Sequence, residues 1–138
     1  MAGNRINWEP GYELGIEDID FQHHFFLNLI NRLADELRMT TSQNRRSALI
    51  AELNAYARFH FISEENMMAR AGYPDLVAHR KHHLDLISQL NSREALLQLE
   101  QSEQSAEQVI DFLVSWFVNH TTGEDRLFAD FYHLQQNR

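Results

Sequence analysis

The amino-acid sequence predicts an all-α protein, an up-down-up-down antiparallel four-helix bundle with a non-helical N-terminal arm. Apolar residues recur at spacings of three and four through four long segments, the pattern of helices that bury one face. Short polar or glycine- and proline-containing joins separate these segments, and short joins make consecutive helices antiparallel. The chain of 138 residues is long enough for one domain, residues 1–138, with a substantial core.

The predicted helices cover approximately residues 18–39, 44–70, 75–100 and 105–122, after an arm over residues 1–17 and before a C-terminal segment to 138. The polar run between the first two helices offers several N-caps. Gly72 is suited to cap the second helix, and Pro74 is suited to the first turn of the third.

Composition excludes several classes of protein. The formal net charge is −8 and lysine and arginine form no large cluster, which argues against nucleic-acid and anionic-membrane partners. Cysteine is absent, so any metal must be held by nitrogen and oxygen ligands. The first residues are polar and no run of 18 apolar residues occurs. We therefore expect a cytoplasmic protein with no membrane span.

Each of the four apolar stripes contains histidine, and three of them carry a second potential ligand about one turn further on. A lone histidine on an apolar face is more often a hydrogen-bonded core residue than a ligand. Five imidazoles and two carboxylates on core faces are too many polar groups to bury without a metal. The candidate ligands are His23, His60, Glu64, His79, His83, His120 and Asp125.

Helical register separates these ligands from the other histidines. His24 and His82 fall in rows of polar residues, so both are expected to face solvent. A pair of His79 with His82 is sterically possible, but only His83 continues the apolar stripe. His133 has no partner at ligand spacing and is expected on the surface or in a tail.

The spacings favour two metal ions. Residues four apart lie on one helix face, about 6 Å apart along the axis. His79 and His83 can therefore bind one cation while His60 binds another, and Glu64 can reach both cations. Zinc and other divalent metals could also occupy such ligands, because imidazole discriminates weakly between them.

Asp125 requires a break in the fourth helix. It lies five residues after His120, a spacing that moves round a regular helix by more than a full turn. Gly123 lies between them and allows the backbone to loosen. We therefore expect distorted helix geometry between His120 and Asp125.

Four blocks of sequence, in order, resemble the bacterial haemerythrin family. They extend from about Trp8 to Phe128, nearly the whole chain, and the four together are highly specific. The blocks are GIEDIDFQH at 15–23, HFISEE at 60–65, Gly72-Tyr73-Pro74 followed by His79 and His83, and the stretch from Trp116 through His120 to Asp125.

The resemblance implies a haemerythrin-like domain with a non-haem di-iron centre, two iron ions per chain. One iron would be bound by His79, His83 and His120, and the other by His23 and His60. Glu64, Asp125 and a solvent-derived oxo or hydroxo group would bridge the two irons. The second iron is then one ligand short, and in this family dioxygen binds at that position.

Reversible dioxygen binding, as an oxygen carrier or store, is therefore the function that the resemblance implies first. The alternative is a sensor of oxygen, nitric oxide or redox state that uses the same centre with a protein partner of unknown identity. Oxygen-activating di-iron enzymes usually have four carboxylates and two histidines, whereas here histidines outnumber carboxylates. We therefore predict no enzymatic activity and assign no catalytic residue. The enzymatic alternative, a di-iron oxidase or a peroxide or nitric oxide reductase, would require a substrate path and a proton donor, and no residue of the sequence marks either.

The expected wall of the oxygen pocket consists of Phe26, Trp116, Phe117 and Thr121. In the family a bulky apolar residue commonly follows the fourth-helix histidine, and this chain has Thr121 there. Its hydroxyl either admits water or donates a hydrogen bond near the bound ligand, or it bonds back to a helix carbonyl. The sequence leaves both readings open.

Overall fold

A computed structural model describes residues 6–40, 42–99 and 103–137. Within these ranges the chain is all-helical, with no strand. It forms a 3-10 turn at Pro10–Tyr12 and five α-helices: α1 at Glu17–Met39, α2 at Gln43–Ala71, α3 at Leu76–Leu99, α4 at Glu103–Thr122 and α5 at Glu124–Gln136. None of the helices in these ranges is long and apolar enough to cross a membrane.

The predicted four-helix bundle is confirmed. Helix α1 packs against α2 and α4, and α3 packs against α2 and α4, so the four helices close into a ring. Ser42 begins α2, where its hydroxyl accepts a hydrogen bond from the backbone N–H of Arg45 at 3.3 Å. Gly72 ends α2 with a left-handed backbone at φ 71°, a conformation that glycine adopts without strain.

Within the described residues, the arm and the C-terminal segment contain more helix than the sequence indicated. The arm is not wholly non-helical, because Pro10 begins a single 3-10 turn. The C-terminal segment is not a tail but a fifth helix, which buries Phe128 and Ala129. The first five residues of the arm, the expected end of the third helix at residue 100, and residue 138 lie outside the described residues.

Helix α5 also holds the arm in place. The guanidinium of Arg126 donates hydrogen bonds to the carbonyl oxygens of Gly11 and Glu13, at 3.0 and 2.8 Å. His133 donates from Nε2 to the carbonyl oxygen of Leu14 at 2.7 Å. His133 is therefore a half-buried residue that joins two elements, which corrects its expected place on the surface or in a tail.

The apolar core is divided into two clusters along the bundle. The larger cluster contains Phe26, Phe61, Leu86 and Phe117, and the smaller contains Ile19, Met68 and Phe128. On α1 and α2 the candidate ligands fall in sequence between residues of the two clusters, for example His23 between Ile19 and Phe26, and across the junction of α4 and α5 His120 and Asp125 fall between Phe117 and Phe128. The bundle therefore has a layer of buried polar groups between two apolar layers.

Candidate metal centre

The polar layer is closed to solvent. All seven candidate ligands are between 1% and 4% exposed: His23, His60, Glu64, His79, His83, His120 and Asp125. Helix α1 supplies one of them, α2 and α3 supply two each, α4 supplies one and α5 supplies one. Ionisable groups are rarely buried to this degree unless they are paired or bind a metal.

Glu64 divides its two oxygens between two groups of histidines. Oε1 lies 2.8 Å from His79 Nε2 and 3.1 Å from His83 Nε2. Oε2 lies 3.4 Å from His60 Nε2 and 3.6 Å from His23 Nε2. The carboxylate therefore has one oxygen on the side of each histidine group.

Asp125 is divided in the same way. Its Oδ1 lies 3.0 Å from His79 Nε2 and 3.1 Å from His120 Nε2, and its Oδ2 lies 3.1 Å from His23 Nε2. Both carboxylates thus lie between a set of three imidazoles and a set of two. The structure joins Asp125 to this layer through the break at Gly123, where α4 ends and α5 begins.

The donor atoms form two overlapping groups, and within each group they lie within 4.8 Å of one another. The three-histidine set is His79, His83 and His120 with Glu64 and Asp125, and the two-histidine set is His23 and His60 with the same carboxylates. In the described part of the chain, Glu64 Oε2 and both Asp125 oxygens are buried without a hydrogen-bond partner. Unpartnered buried oxygens facing imidazoles suit shared metal ligands.

The carboxylates and imidazoles of the layer shift one another's pKa values. Burial alone would lower the pKa of His23 and His79, but contacts with Asp125 and Glu64 raise these pKa values to about 9 and about 10. Burial lowers the pKa of His60 to about 3. Burial would raise the pKa of both carboxyl groups, but the surrounding imidazoles hold each below its usual value. The two carboxylates and the imidazoles of His23 and His79 therefore stabilise one another's charged forms.

Two polar residues outside the ligand set contact the Nδ1 atoms of ligand imidazoles. Gln22 places Oε1 2.7 Å from His60 Nδ1, and Glu65 places Oε2 2.8 Å from His83 Nδ1. We did not single out either residue from the sequence. Their signal there is weak: each is a polar residue directly beside a ligand in the chain, and each is half-buried.

Aromatic rings surround the layer and contact one another, with Phe26 6.0 Å from Phe117 and 6.3 Å from Trp116. Phe26 lies 5.9 Å from the His60 ring and Phe117 lies 5.9 Å from the His23 ring, so both border the two-histidine set. Trp116 instead stacks on His120, 4.5 Å away, beside the three-histidine set. The sequence did not indicate Tyr12 of the arm, whose ring meets Phe117 edge-on at 5.7 Å.

The remaining histidines face solvent or other elements. The side chains of His24 and His82 are 46% and 52% exposed. The His24 ring stacks on Trp8 of the arm at 3.4 Å, and His82 lies 3.6 Å from a carboxylate oxygen of Glu124. Neither belongs to the groups of potential metal ligands in the described residues.

Comparisons with known proteins agree with this architecture. The family described as "Hemerythrin HHE cation binding domain" matches residues 14–132. A bacteriohemerythrin of Clostridium acetobutylicum is 29% identical over 126 residues, covering 89% of this chain and 98% of that protein. A bacteriohemerythrin of Stenotrophomonas maltophilia is 31% identical over 124 residues, covering 89% and 78%.

Solved structures agree in fold. A crystal structure described as wild-type hemerythrin superposes with a TM-score of 0.74 at 24% identity, covering 92% of this chain and 97% of that chain. The sequence match and the buried cluster of histidine, glutamate and aspartate lead to one family. The chain belongs to the haemerythrin family, as its sequence motifs predicted.

Proposed function

We propose that this protein binds dioxygen reversibly at a non-haem di-iron centre and acts as an oxygen carrier or store. One observation carries the proposal: two buried carboxylates are shared between a three-histidine set and a two-histidine set. Five protein groups thus surround one position and four surround the other. The metal at the two-histidine position is left with room for an exogenous ligand.

The two groups of donor atoms support an assignment of residues to each iron. His79, His83 and His120 would hold one iron, and His23 and His60 the other. Glu64 and Asp125 would bridge the two, together with an oxo or hydroxo group from solvent. When bound, the pair of irons supplies the two electrons that reversible dioxygen binding requires.

The protein surrounds the open side of the two-histidine set with apolar rings. Phe26 and Phe117 pack against His60 and His23, and Tyr12 packs against Phe117. Such a wall limits the access of water and protons, both of which assist the loss of a reduced oxygen ligand. These side chains therefore favour release of dioxygen over its irreversible reduction.

The donor set favours binding over oxidation. Five imidazoles are neutral when they bind a metal, and only two carboxylates add negative charge. Carboxylate-rich di-iron sites stabilise higher oxidation states through their additional negative charge. We therefore propose a binding protein rather than an enzyme, with dioxygen as its small-molecule partner.

A redox cycle with an iron assay tests the proposal. Protein from iron-replete cells is expected to contain two irons per chain and to absorb in the near ultraviolet. After anaerobic reduction, exposure to air should colour the protein and removal of oxygen should bleach it, through several cycles. Conversion in one direction to the diferric form would contradict a carrier and favour a sensor. One metal per chain, or zinc in place of iron, would contradict the di-iron centre itself.

A further inference from the structure

The groups behind the imidazoles differ in charge between the two halves of the centre. On the three-histidine side, Glu65 accepts a hydrogen bond from His83 Nδ1 at 2.8 Å. The other Glu65 oxygen forms an ion pair with Arg80 Nε at 3.1 Å, and only 17% of the Glu65 side chain is exposed. A second carboxylate, that of Glu124, lies 3.6 Å from His120 Nδ1. This half is therefore backed by two anionic groups.

The two-histidine side has no such anion behind its imidazoles among the contacts of the described residues. His60 Nδ1 meets the neutral amide oxygen of Gln22 at 2.7 Å. His23 Nδ1 is buried and has no hydrogen-bond partner within the described part of the chain. The two-histidine half, which would bind the exogenous ligand, therefore has only a neutral amide in contact with the Nδ1 atoms of its imidazoles among the described residues.

The Gln22 amide connects α1 to α2. Its Nε2 donates a hydrogen bond to Ser63 Oγ at 3.0 Å, and its Oε1 faces His60. The hydroxyl of Tyr56 donates to the backbone carbonyl oxygen of Gln22 at 2.8 Å, which ties this turn of α1 to α2. An amide oxygen can only accept, so His60 must carry its proton on Nδ1. Its Nε2 lone pair then faces the carboxylates.

We propose that Gln22 is a positioning residue that sets the tautomer of His60. Because its amide is neutral, the imidazoles of the two-histidine set remain weaker electron donors to their iron than those of the three-histidine set. The proposal rests on the di-iron function proposed above. A carboxylate that accepts from a ligating imidazole makes that imidazole a stronger donor and stabilises the higher oxidation state of its metal, whereas an amide does so much less. Glu65 and Gln22 therefore make the two iron positions electronically unequal.

Exchange of the two kinds of acceptor tests this inference. Gln22→Glu places an anion behind His60 without a change of size, and Glu65→Gln removes one from behind His83. The iron-loaded variants are compared by iron content and by the midpoint potentials of their reduction. We expect a negative shift for Gln22→Glu and a positive shift for Glu65→Gln, with two irons retained. Potentials equal to that of the native protein in both variants would overturn the inference.

A matched charge control is Asn28→Asp, which adds the same charge to α1 at an exposed position. Its potential should stay close to the native value. A shift as large as that of Gln22→Glu would show a general effect of net charge and overturn the role of Gln22.

The hydrogen bond from His60 Nδ1 to Gln22 is tested without iron, so its outcome is separate from that of the di-iron proposal. In the zinc-loaded protein, NMR of the ¹⁵N-labelled imidazoles should show a slowly exchanging Nδ1 proton on His60. Gln22→Leu should lose that protection, and Gln22→Glu should restore it. A protected Nδ1 proton in Gln22→Leu would overturn the positioning role, even if the native protein proved to bind two irons.

Discussion

The backbone at Gly123 lies so close to the carbonyl group of Asn119 that a Cβ atom added at residue 123 would be 2.7 Å from that oxygen. The Gly123 N–H donates to the same oxygen at 3.0 Å, and the Gly123 carbonyl accepts from Leu127 at 3.0 Å. One residue therefore ends α4 and starts α5. This junction turns Asp125 towards the imidazoles, with its Oδ1 3.1 Å from His120.

The first prediction concerns this junction. Gly123→Ala should displace the start of α5, because a backbone carbonyl cannot move aside as a flexible side chain can. We expect a loss of about 1–3 kcal/mol of stability from the overpacking and a weakened bridge at Asp125. Thermal unfolding and the iron content per chain would measure the two effects.

Gly11→Ala is the matched control. A Cβ at residue 11 would meet no heavy atom within 4 Å. This variant should keep the native iron content and stability. If Gly123→Ala kept them as well, the close approach to Asn119 would not be what positions Asp125.

The second prediction compares adjacent histidines on α3. His83→Ala should lose iron and lower the melting temperature, because His83 is 2% exposed and metal binding is coupled to folding. His82→Ala should keep two irons, because the His82 side chain is 52% exposed and does not belong to the groups of potential metal ligands in the described residues. Iron analysis of both variants gives the answer directly. Loss of iron from His82→Ala alone would contradict the helical register.

The sequence predicted the helices and the polar layer because both are periodic. One residue along a helix turns a side chain by about 100°, so the apolar stripe alone separated His83 from His82. The structure brings together the seven residues on those stripes.

The contacts behind the ligands could not be predicted in the same way. The bond from Gln22 to His60 joins two helices, and it depends on their separation and on one side-chain rotamer. The sequence did not predict helix α5, because the break at Gly123 interrupts the helical pattern just before this helix begins. The role of His133 followed only from the path of the arm, whose Leu14 carbonyl it reaches.

The third prediction concerns the pH dependence of stability in the metal-free protein. The carboxylates raise the pKa of His23 to about 9 and that of His79 to about 10, above the usual value of about 6.5. Above pH 6.5 the folded chain keeps two protons that the unfolded chain releases. Their contribution to the free energy of unfolding is therefore complete below pH 6.5 and is lost as pH rises towards 10.

His60 acts in the opposite direction. Burial lowers its pKa to about 3, so below pH 6.5 the unfolded chain binds a proton that the folded chain does not. The melting temperature of the metal-free protein should therefore be highest near pH 6.5. Bound metal replaces the protons on His23 and His79, so the alkaline decline should disappear in the iron-loaded protein. A metal-free melting temperature that rises from pH 6.5 to 9 would contradict these charge states.

The fourth prediction concerns Thr121, which is 1% exposed and lies one turn beyond Phe117 on α4. Phe117 borders His23, and Thr121 lies four residues after Phe117, so the two residues share the helix face beside the two-histidine set. A hydroxyl there can hold water or supply a hydrogen bond that assists the loss of a reduced ligand. Thr121→Val removes the hydroxyl and keeps the shape. We predict slower autoxidation than in the native protein, measured as the decay of the oxygenated spectrum.

The neighbouring Thr122 provides the control. Its exposed side chain donates back to the carbonyl oxygen of Val118 at 2.7 Å, the bond that a threonine in a helix commonly makes. Thr122→Val should therefore leave the autoxidation half-life unchanged. If Thr121→Val also gave the native half-life at matched pH and temperature, the hydroxyl of Thr121 would have no part in ligand loss. A slower rate in Thr121→Val alone would place that hydroxyl in the pocket, because the two variants remove the same group one residue apart.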